Sequence, residues 1–437
     1  MTNSELRTAV RGPVLLPGEE GFEQAARPWS LTVAQPVAAV VEALDADDVA
    51  ALVRYARGAG LTVSAQPSGH GASGDVEGVI LLRTGRLDEV EVHPGERIVR
   101  AGAGVKWERV QAEASRHGLT GLTGSAPGVS VTGYTLGGGL GWFARRYGFA
   151  ADSVRAFDVV DADGGRARVT AGSDPDLFWA LCGGGGDFAL VTAVEFDLYP
   201  APAVYGGRIV WPGDRAADVL AAFGDVTASA PPELSVWTSL VRLPDAPPMV
   251  AVDAVHLGEA EEGRELLAAF DKIDGVLRDS RDALAVADLG QVTAEPVDPV
   301  PVLARTELLT GLDDEVSGAL LAAPIDPLVG VQLRHLGGAL ARAGAGAGPS
   351  GPVAEPYLLY LFGLSLGPEV AAGVKARQEE LVRSLGERVS GRKPYTFLSR
   401  ADSAAAAFTA PVLARLREVK RARDPHNVFR ANYSVAG

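Results

Sequence analysis

Apolar and polar positions change their period repeatedly along the chain, and each change marks an element. Val37 to Leu44 reads as a β-branched strand. Asp45-Ala46-Asp47-Asp48 then offers an N-cap and favourable negative charge to a helix that runs on to about Arg57. Gly58 and Gly60 end it, and Leu61 to Ala65 is the next strand. Val79-Ile80-Leu81-Leu82 has the character of a buried strand, Glu89 to Val92 alternates like an exposed one, and Ile98 to Val105 is a strand that ends in small residues. A helix from Trp107 to His117 stops at Gly118. Val154–Asp161 and Arg166–Thr170 flank Ala162-Asp163-Gly164-Gly165 as a hairpin. Asp174-Pro175-Asp176 opens a helix over Leu177 to Leu181, Gly183–Gly186 break it, and Thr192 to Tyr199 closes this part of the chain as a strand. Residues 1–33 form a leader whose Phe22 and Trp29 are expected to pack onto the body.

Composition shifts after Tyr199-Pro200-Ala201-Pro202, which marks a domain border. Beyond it strands at 234–241, 249–256, 329–336 and 357–364 alternate with helices at 214–224, 258–271, 313–323 and 368–386. Residues 341–351 (ARAGAGAGPSG) are a loop by composition. Pro411 to Arg423 has helical spacing, Asp424-Pro425-His426-Asn427 terminates it, and Val428 to Tyr433 follows. The pattern predicts an α+β protein in three stretches, 1–202, 203–392 and 393–437.

Bulk properties narrow the function. With 47% hydrophobic residues in 437, a large core in two lobes is affordable. A formal charge of −15 argues against nucleic acid, since phosphate binding needs clustered Lys and Arg. No apolar run approaches a membrane span, and the N-terminus lacks the basic and then long apolar pattern of a secretory signal, so a cytoplasmic protein is expected. Cys182 is the only cysteine, and the six histidines show no close metal-ligand spacing, so no metal site is expected.

Two glycine-rich segments carry the chemistry. One is Gln66-Pro67-Ser68-Gly69-His70-Gly71-Ala72-Ser73-Gly74; the other runs from Gly121 through Ser125-Ala126-Pro127-Gly128 and Gly137-Gly138-Gly139-Leu140-Gly141-Trp142 to Tyr147-Gly148. Glycine lets backbone N–H groups approach a ligand closely, and successive inward N–H groups suit a diphosphate. Together with the C-terminal Asp424-Pro425…Asn427…Phe429…Asn432 pattern, they resemble the FAD-binding segments of flavoprotein oxidases in the vanillyl-alcohol oxidase superfamily, the berberine-bridge-enzyme-like branch above all. The resemblance implies a two-lobed PCMH-type FAD-binding fold: 1–202 binds FAD, 203–392 is an α/β substrate lobe on an antiparallel sheet, and 393–437 returns to the first lobe.

It also implies site residues. His70 falls on the position that carries FAD covalently, and Ala126 on that of a second, cysteinyl link, so one covalent bond is expected. Pro67, Ser68, Gly69, Gly71, Ala72, Ser125, Gly128, Val129, Val131, Gly133, Tyr134, Gly138, Gly139, Gly141, Val191 and Asn432 are expected along the cofactor. Trp142 either covers it or fills core. Family loops often carry Arg where Gln66-Pro67 stand, and Asp187 and Ala189 replace a common Asn and Gly. Arg145 and Arg146 read as structural salt-bridge partners.

Proton removal from a substrate O–H or N–H calls for a base, and Tyr395, on the same strand face as Phe397, and Tyr360 are the candidates. Trp237, Arg334 and Tyr357 are candidate pocket residues, although strand parity puts Tyr357 and Tyr360 on opposite faces, as it does Arg334 and His335. The implied reaction is dehydrogenation of a small molecule at a C–OH, C–N or activated C–H bond, with hydride passing to flavin N5 and O2 restoring the flavin to give H2O2. Secondary metabolism is a typical setting for bacterial relatives. The rival readings are a dehydrogenase with another acceptor, a flavin-bearing drug-binding or resistance protein, and a non-redox cyclase.

Overall fold

The computed structural model describes residues 3–342, 344 and 348–436, so part of the 341–351 loop expected from composition lies outside the described residues. A small sheet begins the fold. Ala39–Glu42 and Val63–Ala65 both pair in parallel with Ile80–Arg83, and Val14–Leu15 adds an antiparallel edge. Parallel pairing needs a crossover, and the helix Ala46–Ala59 supplies it. Asp45 caps that helix through the Asp48 N–H, and Gly60, at φ +67°, ends it in the left-handed conformation.

A second sheet is antiparallel, in the order Val90–His93, Ile98–Gly102, Leu190–Asp197, Val154–Val160 and Arg166–Val169. Its core joins Trp107, Phe157, Phe188 and Phe196. The C-terminal segment returns to the first sheet: Val63 N–H donates to the Val428 carbonyl at 2.7 Å, and Arg430 N–H to the Val63 carbonyl at 3.0 Å. Phe22 packs with Val37, Val40, Val79 and Leu81, while Trp29 takes a place beside His70.

The third large element is an eight-stranded antiparallel sheet. Its main path runs Arg278–Asp279, Tyr205–Pro212, Met249–His256, Leu234–Val241, Gly330–His335, Tyr357–Leu364 and Val302–Leu309. Tyr205–Pro212 and Val302–Leu309 escaped the sequence pattern. In the first, Gly206 and Gly207 interrupt the apolar run; in the second, Arg305 and Glu307 do. One face of the sheet packs on the helices Ala216–Ser229, Asp314–Leu321 and Pro368–Leu385. From the other face Trp237 and Val255 join the core of the second sheet.

Arg145 joins the lobes. Its guanidinium donates to the carbonyls of Leu234 (2.8 Å), Ala230 (2.9 Å), Pro231 (3.2 Å) and Leu336, and it contacts His335 Nε2 at 3.0 Å. It therefore holds carbonyls where a salt bridge was expected, and burial lowers its pKa to about 10. Arg146 does pair with a carboxylate, Glu233, at 3.1 Å.

Candidate active site

A cavity of about 970 Å³ opens between the lobes and reaches from the first glycine loop to the large sheet. Its lining comes from the leader, both glycine segments, the 302–305 strand, the 395–402 turn and the C-terminal 430–433 segment.

The glycine side is held open by backbone geometry. The loop leaves the strand Val63–Ala65, and Gly69 turns it at φ +74°, where a Cβ would come within 2.9 Å of Pro28 Cα. Arg83 fixes the loop from behind by donating to the carbonyls of Gln66 (2.9 Å), Arg27 and Ala25 (both 2.8 Å). His70 follows, stacked on Trp29 with ring centroids 4.6 Å apart and its Nδ1 2.8 Å from Ser68 Oγ. Burial, helped by Lys106, pulls its pKa down to about 4, so the imidazole is neutral at pH 7 and keeps a nucleophilic nitrogen. Pro67, Ser68, Gly69, Gly71, Ala72, Ser125, Ala126, Val129, Gly133, Tyr134, Val191 and Asn432 all line this cavity with His70. Cys182 lies elsewhere, buried beside Gly348 with its thiol pushed up to about 12.

Six residues expected along the cofactor do not line the cavity. Val131 faces the core as the first residue of the short helix Val131–Leu136, and Gly128 lies in the turn before it. Gly139 and Gly141 are needed for a different close approach: a Cβ on either would collide with Tyr134, and on Gly141 also with the Thr123 carbonyl. Gly138, at φ +97°, faces Ser350 and Phe149. Trp142 fills core, stacked on Trp237 at 3.7 Å. The glycine run thus seats Tyr134, which forms the wall, while Gly137 reaches the cavity next to Thr396.

Asp187 explains how the C-terminal residues arrive. Fully buried, it accepts from the backbone N–H groups of Ala431 (2.8 Å) and Val435 (2.7 Å). Lys420 binds the Asp187 carbonyl at 2.9 Å and the Asp424 carboxylate at 2.6 Å, and Asp424 accepts from Val428 and Phe429 N–H groups, both at 2.8 Å. With the segment pinned, Asn432 Oδ1 accepts from Gln66 Nε2 at 2.8 Å and closes the two ends of the wall.

The sheet side is made of side chains. Trp237 pairs across strands with Arg334, whose guanidinium lies 3.9 Å over the indole. Arg334 Nε donates to Gln332 Oε1 at 2.6 Å, and Gln332 Nε2 to Ser239 Oγ at 3.1 Å. Arg334 and Tyr360 line the cavity, with the Tyr360 ring set edge-on to Phe397 at 6.0 Å. Burial first, and then the charge of Glu295, push the Tyr360 phenol up to about 12, so its Oη keeps its proton at pH 7.

Three expectations are corrected here. Tyr357 lies on the opposite face, its hydroxyl 2.7 Å from Thr227 Oγ1 and its ring beside Phe223. Trp237 lies beneath Arg334 and is not part of the wall. Tyr395 lines the cavity but belongs to a 3-10 turn, Tyr395–Phe397, because Pro394 fixes an entry that no neighbouring strand continues. Its hydroxyl donates to the Tyr433 carbonyl at 2.7 Å, and burial raises its pKa well above 10. A phenol so committed is a fastener and is unsuited to act as a base.

The structure adds residues that sequence reasoning missed. Glu295 lines the cavity and makes no hydrogen bond or ion pair among the described residues; its charge acts on both Tyr360 and Arg334. It sits in a Pro-flanked loop with no periodicity, so no sequence signal marks it. Lys393 is held by Asp402 at 2.7 Å, and Arg305 by Glu307 at 2.7 Å, at the same cavity.

The glycine side suits a long, polar ligand. A Cβ on Gly186 would meet nothing within 4 Å, and Gly69, Gly71, Gly124, Gly133, Gly137 and Gly185 line the same surface, so backbone can approach a ligand closely along it. Comparison with known proteins agrees. Residues 37–170 match the FAD binding domain model. (R)-6-Hydroxynicotine oxidase of Paenarthrobacter nicotinovorans is 26% identical, the alignment covering 99% of both chains. Among solved structures, BBE-like 1 of Physcomitrella patens superposes with a TM-score of 0.88 at 18% identity, over 100% of this chain and 99% of that one. Glucooligosaccharide oxidase of Acremonium strictum, described with a 6-S-cysteinyl, 8α-N1-histidyl FAD, has a TM-score of 0.83 at 22% identity, over 99% and 98%. Residues 37–170 are therefore an FAD binding domain, and the chain, homologous from end to end to 6-hydroxynicotine oxidase and built on the two-lobed PCMH-type fold of the berberine-bridge-enzyme-like oxidases, is an FAD-dependent oxidoreductase.

Proposed function

We propose that FAD lies along the glycine wall, joined once through His70, and that the chain dehydrogenates a small organic molecule at a C–OH, C–N or activated C–H bond with O2 as acceptor. When bound, FAD supplies a hydride acceptor and passes the electrons to O2, giving H2O2. In this reading 1–202 and 393–437 hold the cofactor, and 203–392 shapes the substrate side. The neutral His70 imidazole provides the attaching nitrogen, and Ala126 leaves the second attachment without a thiol. The backbone of Gly69, Gly71, Gly133, Gly137, Gly185 and Gly186 lines the surface offered to the cofactor.

On the substrate side, Tyr360 Oη holds its proton and donates a hydrogen bond that orients the reacting oxygen or nitrogen. Glu295, the uncommitted carboxylate of this region, takes the proton released from that atom. The observation that carries the reading is the continuity of one cavity from His70 to Tyr360 and Glu295. Anaerobic mixing of the holoprotein with small alcohols, amines and 6-hydroxynicotine-like bases tests it. The flavin bleaches with a substrate, and air restores the colour with release of H2O2. Conversion of substrate without bleaching contradicts redox catalysis, and bleaching that air does not reverse contradicts the oxidase assignment.

A further inference from the structure

Arg334 is a buried cation that the charge of Glu295 reaches but that no carboxylate contacts. It is 6% exposed, yet no acidic group forms an ion pair with it among the described residues. Its Nε is taken by Gln332, whereas its two Nη groups have no protein partner among the described residues and belong to the cavity wall. A buried charge costs free energy unless it is paired. Trp237 beneath it, at 3.9 Å, offsets part of that cost and fixes the plane of the guanidinium. The Gln332–Ser239 chain holds the Nε edge, so the Nη edge is left to face a ligand.

The wider cavity has the same sign. Six Lys or Arg side chains line it against three carboxylates, in a chain whose net charge is −15. Arg305, Lys393 and Arg430 are neutralised by Glu307, Asp402 and Asp75, which leaves Arg334, Lys375 and Arg400 without an ion-pair partner among the described residues against two lining carboxylates, Glu295 and Glu379, that also have none. Two flat rings flank Arg334: the Phe397 ring centroid is 5.3 Å from the guanidinium carbon and that of Tyr360 is 5.7 Å.

We propose that the substrate carries a carboxylate on a flat, apolar body, and that the Nη edge of Arg334 binds that carboxylate while Phe397 and Tyr360 flank the body. Planar bidentate pairing is what a guanidinium offers and a lysine does not. The inference rests on the reading that substrate meets FAD across this cavity, and its test is kept separate from turnover.

Purified holoprotein is titrated with benzoate and cinnamate and with their neutral amides, following the flavin absorbance band and, independently, the heat of binding. The carboxylates bind saturably, and the amides at least ten-fold more weakly. Arg334→Met lowers carboxylate affinity by roughly ten- to hundred-fold with FAD content unchanged, the loss expected for a charge-assisted hydrogen bond. Arg334→Lys retains part of it. The comparison of acid with amide needs no variant, so it stands if Arg334→Met folds poorly. Equal binding of acids and amides, no saturable carboxylate binding, or an Arg334→Met variant that shifts only the flavin potential would each overturn the proposal. Heat of binding requires no flavin signal, so protein that binds carboxylates yet takes up no FAD would contradict the cofactor reading and leave this one standing.

Discussion

The two walls of the cavity are built on opposite plans. On the side of Gln66 to Ala72 and Gly124 to Gly137 the surface is mostly backbone and small residues, with Tyr134 in its glycine seat, and it is held from behind by Arg83 on the loop and the buried Asp187 on the C-terminal strap. On the sheet side the surface is the tips of side chains, Arg334 and Tyr360 standing on a regular antiparallel ladder and Phe397 reaching in from the 3-10 turn. A backbone wall cannot be changed residue by residue without moving the chain, which suits a ligand that never varies. Side chains on a ladder can be exchanged one at a time, since each strand position is supported by its neighbours' hydrogen bonds. The contrast argues for a fixed cofactor on one wall and a substrate set by few residues on the other.

That contrast can be sharpened or broken by substitution. The largest effect is expected on the sheet side: Glu295→Gln should lower the rate of flavin reduction by ~10²–10⁴-fold while FAD content stays at the level of the parent protein. Stopped-flow reduction checks it, and an unchanged rate would remove Glu295 from the chemistry. On the backbone side Asp187→Ala should do the reverse. It strands the buried N–H groups of Ala431 and Val435, costs about 2–5 kcal/mol of stability, and lowers FAD loading because Asn432 loses its seat. Chemical denaturation and the flavin-to-protein absorbance ratio measure the two losses together.

The joint between the walls should be acid-sensitive. Burial first, and then Arg145, hold the His335 pKa down at about 3, against an ordinary value near 6.5 in the unfolded chain. The unfolded state therefore takes up a proton in the window between those values and the folded state does not, so stability is full above about pH 6.5 and falls as pH drops towards 3. The slope from this group is at most about 1.4 kcal/mol per pH unit. Melting temperatures from pH 7 to 4 should decline, and decline less steeply in His335→Gln. The smallest effect belongs to Tyr395→Phe. It removes one hydrogen bond, to the Tyr433 carbonyl, worth about 1 kcal/mol of stability, and turnover should change by less than about two-fold. A large loss of turnover would return Tyr395 to the chemistry.

Periodic elements were readable in the sequence because single residues punctuate them. Asp45 and Gly60 bound the crossover helix, and four strands of the large sheet fall close to where alternation places them. Parity correctly separated Tyr357 from Tyr360 and Arg334 from His335, since faces follow from register alone. What stayed hidden depends on contacts between distant residues. That Gly139 and Gly141 make room for Tyr134, that Tyr395 sits in a turn fastened to Tyr433, and that Glu295 comes to the cavity from an irregular loop are all tertiary facts. Glycine marks a close approach without saying what approaches.

The most direct test of the central claim is the intact mass of the denatured protein. If the backbone wall seats FAD with His70 as its single tether, acid-precipitated protein stays yellow and its mass exceeds that of the polypeptide by one FAD, with the added mass on the peptide containing His70. In His70→Ala the mass returns to that of the polypeptide alone. Parent protein with the bare polypeptide mass, and its flavin free in the supernatant, would contradict the tether.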